Sequence, residues 1–183
     1  MKPLVVLAWI IAGTISAFGQ DYLKREVFGS VGAGKAYDDE GSLGHGVNGG
    51  GGFGYRPSQR FGFEAEINAF KTERVFSRDF ASLQANGAFV LGNGVVYLNR
   101  GRAQAFLIGG LGILHAKNQS SFAGPVDRST TGLAVDFGCG VKIFATTHLV
   151  LRPEFRIYAG NSGTVIETPF SDMRFSMGVG YAW

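Results

Sequence analysis

The side chains of this 183-residue chain best suited to nucleophilic or general-base chemistry are three histidines, His45, His115 and His148, and a single cysteine, Cys139. Such chemistry needs a nucleophile, a base and an orienting carboxylate within reach of one another. In the sequence, Asp38, Asp39, Glu40 and Ser42 precede His45, and Ser120 and Ser121 follow His115. Polar connecting segments supply such groups by composition alone, so these residues are read as solvated and no catalytic residue is assigned. Cys139 has no base beside it in its own segment and reads as a small apolar side chain. "GSVGAGK" (Gly29–Lys35) lacks the full spacing of a phosphate loop and the Ser or Thr that should follow Lys35. "NGGGGFG" (Asn48–Gly54) reads as glycine for close strand packing. No cofactor, no metal site and no nucleic-acid partner is expected.

A second group of polar residues is periodic. In Phe61–Phe70, "FGFEAEINAF", Phe61, Phe63, Ala65, Ile67 and Ala69 share one face, with Gly62, Glu64, Glu66 and Asn68 on the other. His148–Ala159, "HLVLRPEFRIYA", repeats the alternation, with Arg152, Glu154 and Arg156 on its polar side. The same test predicts six more strands near Glu26–Ala36, Gly46–Arg56, Phe80–Asn99, Arg102–Ala116, Thr131–Ala145 and Asp172–Trp183. Within Phe80–Asn99 the apolar phase shifts after Gly92-Asn93-Gly94, which is read as a bulge inside one long strand rather than a hairpin. Across all eight, the polar faces collect Glu64, Glu66, Asp136 and Glu154 against Lys142, Arg152, Arg156 and Arg174, four of each sign. That balance, rich in arginine forks, fits a paired interior charge network.

These strands are joined by connections that alternate in length. Pro57–Arg60, Asn99–Gly101 and Thr146–Thr147 are tight, whereas Tyr37–His45, Lys71–Asp79, Lys117–Thr130 and Gly160–Ser171 are longer and polar. Short turns at a periplasmic rim and longer loops outside are the asymmetry of transmembrane barrels, whose smallest members have eight strands. Strands of about ten residues suit a tilted membrane crossing. A soluble lipocalin-like carrier has the same alternation turned inside out. The charge balance of the polar face argues against it, as do Tyr55, Phe61, Phe63, Tyr181 and Trp183 at one end of the apolar face.

Ahead of the strands, Lys2, the apolar run Leu4–Ser16 and the small-residue site Ala17-Phe18-Gly19 have the layout of a signal peptide over residues 1–19, cleaved before Gln20. Cleavage removes one cation, Lys2, from a formal net charge of +3. One cysteine forms no internal disulfide, so the exported domain, residues 20–183, must hold without one.

The leader, together with "GFEAEINAF", "FLIGGLGILHA", "LRPEFRIYAG" and "FSMGVGYAW", resembles the small eight-stranded outer-membrane barrels of the OmpA-like transmembrane domain type, the outer membrane protein β-barrel domains. The resemblance implies an all-β up-and-down barrel in the bacterial outer membrane. Ser176, Gly178, Tyr181 and Trp183 match the C-terminal signal by which such barrels are recognised for insertion. It further implies contact with outer-membrane lipids and lipopolysaccharide, handling by the barrel-assembly machinery, a surface ligand held through outer loops, and a monomer. No peptidoglycan-binding domain follows the barrel, so a cell-wall tether is not expected. The expected role is structural or adhesive, with no wide pore, because a barrel of this size is filled by its own side chains. The alternative the family offers is an enzyme modifying lipid A, an acyltransferase or deacylase, with His45 and His115 near the outer rim.

Overall fold

The computed structural model describes residues 23–38, 41–76, 81–120, 126–161 and 169–183. The proposed signal peptide and its cleavage site lie outside them. Eight strands follow one another: β1 (Arg25–Asp38), β2 (Gly41–Tyr55), β3 (Phe61–Phe76), β4 (Ala81–Tyr97), β5 (Ala103–Ser120), β6 (Val126–Phe144), β7 (Leu149–Asn161) and β8 (Pro169–Ala182). Each pairs antiparallel with its neighbours in sequence, and β8 pairs back to β1, closing the barrel without an edge.

The alternation seen in the sequence becomes a division between wall and interior. On β3, Phe61, Phe63, Ala65, Ile67 and Ala69 are exposed on the outer wall while Glu64, Glu66 and Asn68 are buried inside. The outward set continues around the barrel through Val31, Leu111, Leu133, Phe137, Phe175 and Val179. Leu111 and Leu133, at 73% and 76% exposed, would be untenable on a water-facing surface of this extent and belong against hydrocarbon. A soluble carrier with an apolar interior is therefore excluded.

The short turns are closed by their own side chains. The Ser58 hydroxyl accepts from the Phe61 amide (3.0 Å), and Thr146 Oγ1 accepts from the Leu149 amide (3.0 Å). Between β4 and β5, Asn99 Nδ2 donates to the Ala103 carbonyl (2.7 Å) and Asn99 Oδ1 accepts from the Ala105 amide (2.6 Å). Gly101 in that turn takes φ +122°, a conformation that favours glycine.

Two expectations are corrected. β4 contains no bulge, because its register to β3 runs unbroken from Phe61↔Val96 to Phe76↔Ala81. The phase appeared to shift because both faces are apolar: Phe89, Leu91, Val95 and Tyr97 point inward, and Val90, Val96 and Leu98 outward. Where register does shift is at Ala36/Tyr37, between β1 and β2. The segments read as long polar loops are in large part strand. β5 and β6 run to 18 and 19 residues, well past the roughly ten that a crossing needs, leaving 121–125 between them. Beyond the lipid a ladder needs no apolar face, so it continues with no alternation to betray it.

Candidate functional site: the barrel interior and its rims

Glu64, Glu66, Asp136, Lys142, Arg152, Glu154, Arg156 and Arg174 are all between 2% and 5% exposed, except Arg152, which is fully buried. β3 supplies two of the acids, β6 Asp136 and Lys142, β7 the Arg152-Glu154-Arg156 ladder, and β8 Arg174. Inward side chains two apart along one strand stack above one another, which is why a run such as "RPEFR" builds a column of alternating sign.

Arg152 is the hub. Its Nη1 and Nη2 both donate to Glu64, at 2.9 and 2.5 Å, and its Nε pairs with Glu154. The guanidinium carbon Cζ lies 4.2 Å from the centre of the Phe28 ring and 5.0 Å from that of Phe106. Lys142 Nζ donates to Glu26 (2.5 Å), Glu64 (3.1 Å) and the Tyr97 hydroxyl (3.0 Å). Arg156 bridges Glu154 (2.9 Å), Asp136 (2.9 Å) and Glu66 (2.8 Å). Arg174 stands apart, bonded to Asp172 through Nε (2.6 Å) and to Asn68 Oδ1 (2.6 Å) amid the rings of Phe70, Phe89 and Tyr158. The first seven residues thus form one ion-paired cluster, and Arg174 joins it through Asn68, whose Nδ2 donates to Glu66 Oε1 (3.4 Å).

Three interior ions were missed by sequence reading: Glu26, Asp172 and Arg56, all buried. Glu26 and Asp172 lie among the first residues of β1 and β8 and Arg56 just past β2, and the signal that would have found them is the strand's own phase carried one step further, from Phe28 to Glu26, from Arg174 to Asp172 and from Gly54 to Arg56. Arg56 closes the short-turn mouth. It donates through Nη1 to Gln104 Oε1 (2.7 Å) and through Nε to the Ser58 carbonyl (3.2 Å), pairs with the Gln59 carbonyl, and lies 3.8 Å over the Tyr97 ring. Two apolar clusters were also unforeseen: Phe70, Phe89, Leu91, Leu114, Ala134 and Tyr158, drawn from β3 to β7, and Val95, Tyr97, Phe106 and Ile108, from β4 and β5 alone. Behind the mouth, between Glu26, Tyr97 and Lys142, about 20 Å³ is open, room for roughly one water.

On the outer wall, Tyr55, Phe61, Phe63, Tyr181 and Trp183 are exposed around the short-turn end, joined by Phe53. Ser176 and Gly178 point inward on β8, and Tyr181 and Trp183 outward. His148 stands in the last short turn, its Nδ1 donating to the Ala182 carbonyl (2.8 Å) and its ring stacked on Tyr181 (5.4 Å). His45 and His115 lie on strands, exposed toward the opposite end. His115 is held between Thr131 Oγ1 (2.9 Å) and Ser129 Oγ (3.3 Å), not by the serines that follow it in sequence. Cys139 is exposed on the wall, opposite Leu107 and Phe155. Among the described residues no His, Cys, Asp or Glu cluster is arranged to hold a metal ion.

A closed eight-stranded barrel, apolar outside and ionic within, is a transmembrane barrel. The chain belongs to the outer membrane protein beta-barrel domain family, whose model matches residues 5–182. No curated protein sequence matches it. Its structure is similar to that of the Neisserial surface protein A (TM-score 0.65, 20% identity, covering 87% of this chain and 97% of that one). It is also similar to Ail, the attachment invasion locus protein of Yersinia pestis, in complex with the heparin analogue sucrose octasulfate (TM-score 0.55, 17% identity, 87% and 100% covered). A third likeness is to the N-terminal β-barrel domain of Pseudomonas aeruginosa OprF (TM-score 0.55, 12% identity, 88% and 98% covered). The protein is thus a bacterial outer-membrane barrel, with its short turns at the periplasmic rim.

Proposed function

We propose that this protein is a non-enzymatic, monomeric component of the outer membrane that stiffens the envelope and offers its outer strands and loops to surface ligands. The observation that carries this reading is the filled interior. Arg56 caps the mouth, the ion-paired cluster follows, and an apolar cluster drawn from β3 to β7 packs in the barrel with it, an interior filled by its own side chains that supports a barrel closed to diffusing solutes. The extended β5–β6 hairpin provides a surface beyond the lipid, and the likeness to an attachment protein supports an adhesive role. Reconstituted into liposomes, the protein is expected to leave the flux of ions and small sugars at the level of empty vesicles. Sugar-permeable vesicles would overturn the reading.

Ser176, Gly178, Tyr181 and Trp183 serve in this proposal as the insertion signal read by the assembly machinery. Folded barrel in outer-membrane fractions, scored by heat-modifiable migration, should fall further for Trp183→Ala than for Lys71→Ala at the opposite end. Equal yields would remove the signal from the account. A lipid A-modifying enzyme is favoured by one observation, the Ser129–His115 contact, but the far nitrogen of that histidine meets Thr131 rather than a carboxylate. Lipid A from cells with and without the protein should have identical mass spectra; an acyl-chain difference lost in His115→Ala would establish the enzyme instead.

A further inference from the structure

Among the described side chains the acids lie on one face only. Every described acidic side chain, Glu26, Glu64, Glu66, Asp136, Glu154 and Asp172, is buried in the interior. Around the periplasmic rim, in contrast, Lys24, Arg25, Arg60, Arg100 and Arg102 are all exposed, and among the described residues no carboxylate lies within ion-pair distance of any of them.

Arg25 has the most defined surroundings. It faces Tyr55 in the β1–β2 register, and its backbone exchanges two hydrogen bonds with Trp183, each 2.9 Å. Arg25 shares the outward phase of Val27, so its side chain leaves the barrel between two exposed aromatic residues. The Trp183 ring is 6.4 Å from Phe53 and 6.0 Å from Tyr181, and Tyr181 stacks on His148, so the aromatic row runs unbroken across the seam where the barrel closes. Aromatic residues in such a row sit at the level of lipid headgroups. A guanidinium there presents a planar fork matched to a phosphate, while the indole N–H and the phenol O–H are donors at the same depth.

We propose that the periplasmic seam formed by β8, β1 and β2 binds the phosphate of an anionic glycerophospholipid of the inner leaflet, with Arg25 making the phosphate contact and Tyr55 and Trp183 seated against the glycerol ester region. The preference for an anionic lipid follows from charge. A zwitterionic headgroup brings an ammonium toward Lys24 and the rim arginines, whereas phosphatidylglycerol brings none.

The test uses the folded protein in micelles containing equal amounts of phosphatidylglycerol and phosphatidylethanolamine, with the retained lipid identified by native mass spectrometry. Phosphatidylglycerol should be retained preferentially. The preference should fall about fivefold in Arg25→Gln, the effect of one surface cation, survive in Arg25→Lys and be unchanged in Lys71→Gln at the opposite rim. No preference in the wild type, or one that Arg25→Gln leaves intact, overturns the proposal. Should Arg25→Gln lack heat-modifiable migration, the decisive reading is the wild type as salt rises from about 0.05 to about 0.5 M. Lost preference supports the phosphate contact, and unchanged preference contradicts it.

Discussion

The inner and outer faces of these strands hold their residues for opposite reasons. On the inside, Arg152 is fully buried and tolerable only because Glu64 and Glu154 bond its guanidinium, so each ion depends on the identity of its neighbours. On the outside, Leu111 and Leu133 turn most of their surface away from the protein toward the hydrocarbon, where another apolar residue would serve as well. Specificity of sequence is therefore concentrated inside, and the apolar band of the wall between its rims is a matter of composition. β4 crosses the division, with apolar residues on both faces, because its inward Phe89, Leu91, Val95 and Tyr97 build the apolar clusters against which the interior cations pack.

The contrast can be broken from either side. The largest effect is expected inside: Glu64→Gln leaves Arg152 without its two-pronged partner and takes one of two carboxylates from Lys142, at a cost of about 3–5 kcal/mol. Urea unfolding of the reconstituted barrel, followed by gel migration, measures it. Next comes a charge on the wall, since Leu111→Arg should cost about 2–4 kcal/mol near the bilayer midplane. A uniformly tolerant wall would put this residue outside the lipid. The smallest effect compares two glycines of adjacent strands. A Cβ on inward-facing Gly112 collides with the Val90 carbonyl oxygen, so Gly112→Ala should cost about 1–3 kcal/mol. A Cβ on outward-facing Gly92 meets nothing closer than the Leu111 carbonyl oxygen at 4.0 Å, so Gly92→Ala should fall within about 0.5 kcal/mol of wild type.

Where alternation and burial coincide, the structure could be read from the sequence. β3 and β7 were legible because their polar faces are charged and their apolar faces unbroken, which made Glu64, Glu66, Arg152, Glu154 and Arg156 inward together. The outer parts of β5 and β6 were not, since a strand in water has no face to mark. Neither were the inward aromatics, because Phe70 at the end of a polar phase looks like noise until β4 brings Phe89 against it and β7 adds Tyr158. Pairing within the charged set was equally hidden. Glu64 and Arg152 lie 88 residues apart, and only closure of the barrel makes them partners.

The account rests on interior ions that are held by one another. A cycle of Glu64→Gln, Arg152→Met and the double variant, unfolded in urea under identical conditions, tests this directly. Removing both partners leaves fewer uncompensated charges, so the double variant should be markedly less destabilised than the sum of the singles. Strictly additive losses, or a Glu64→Gln variant as stable as the wild type, would contradict it.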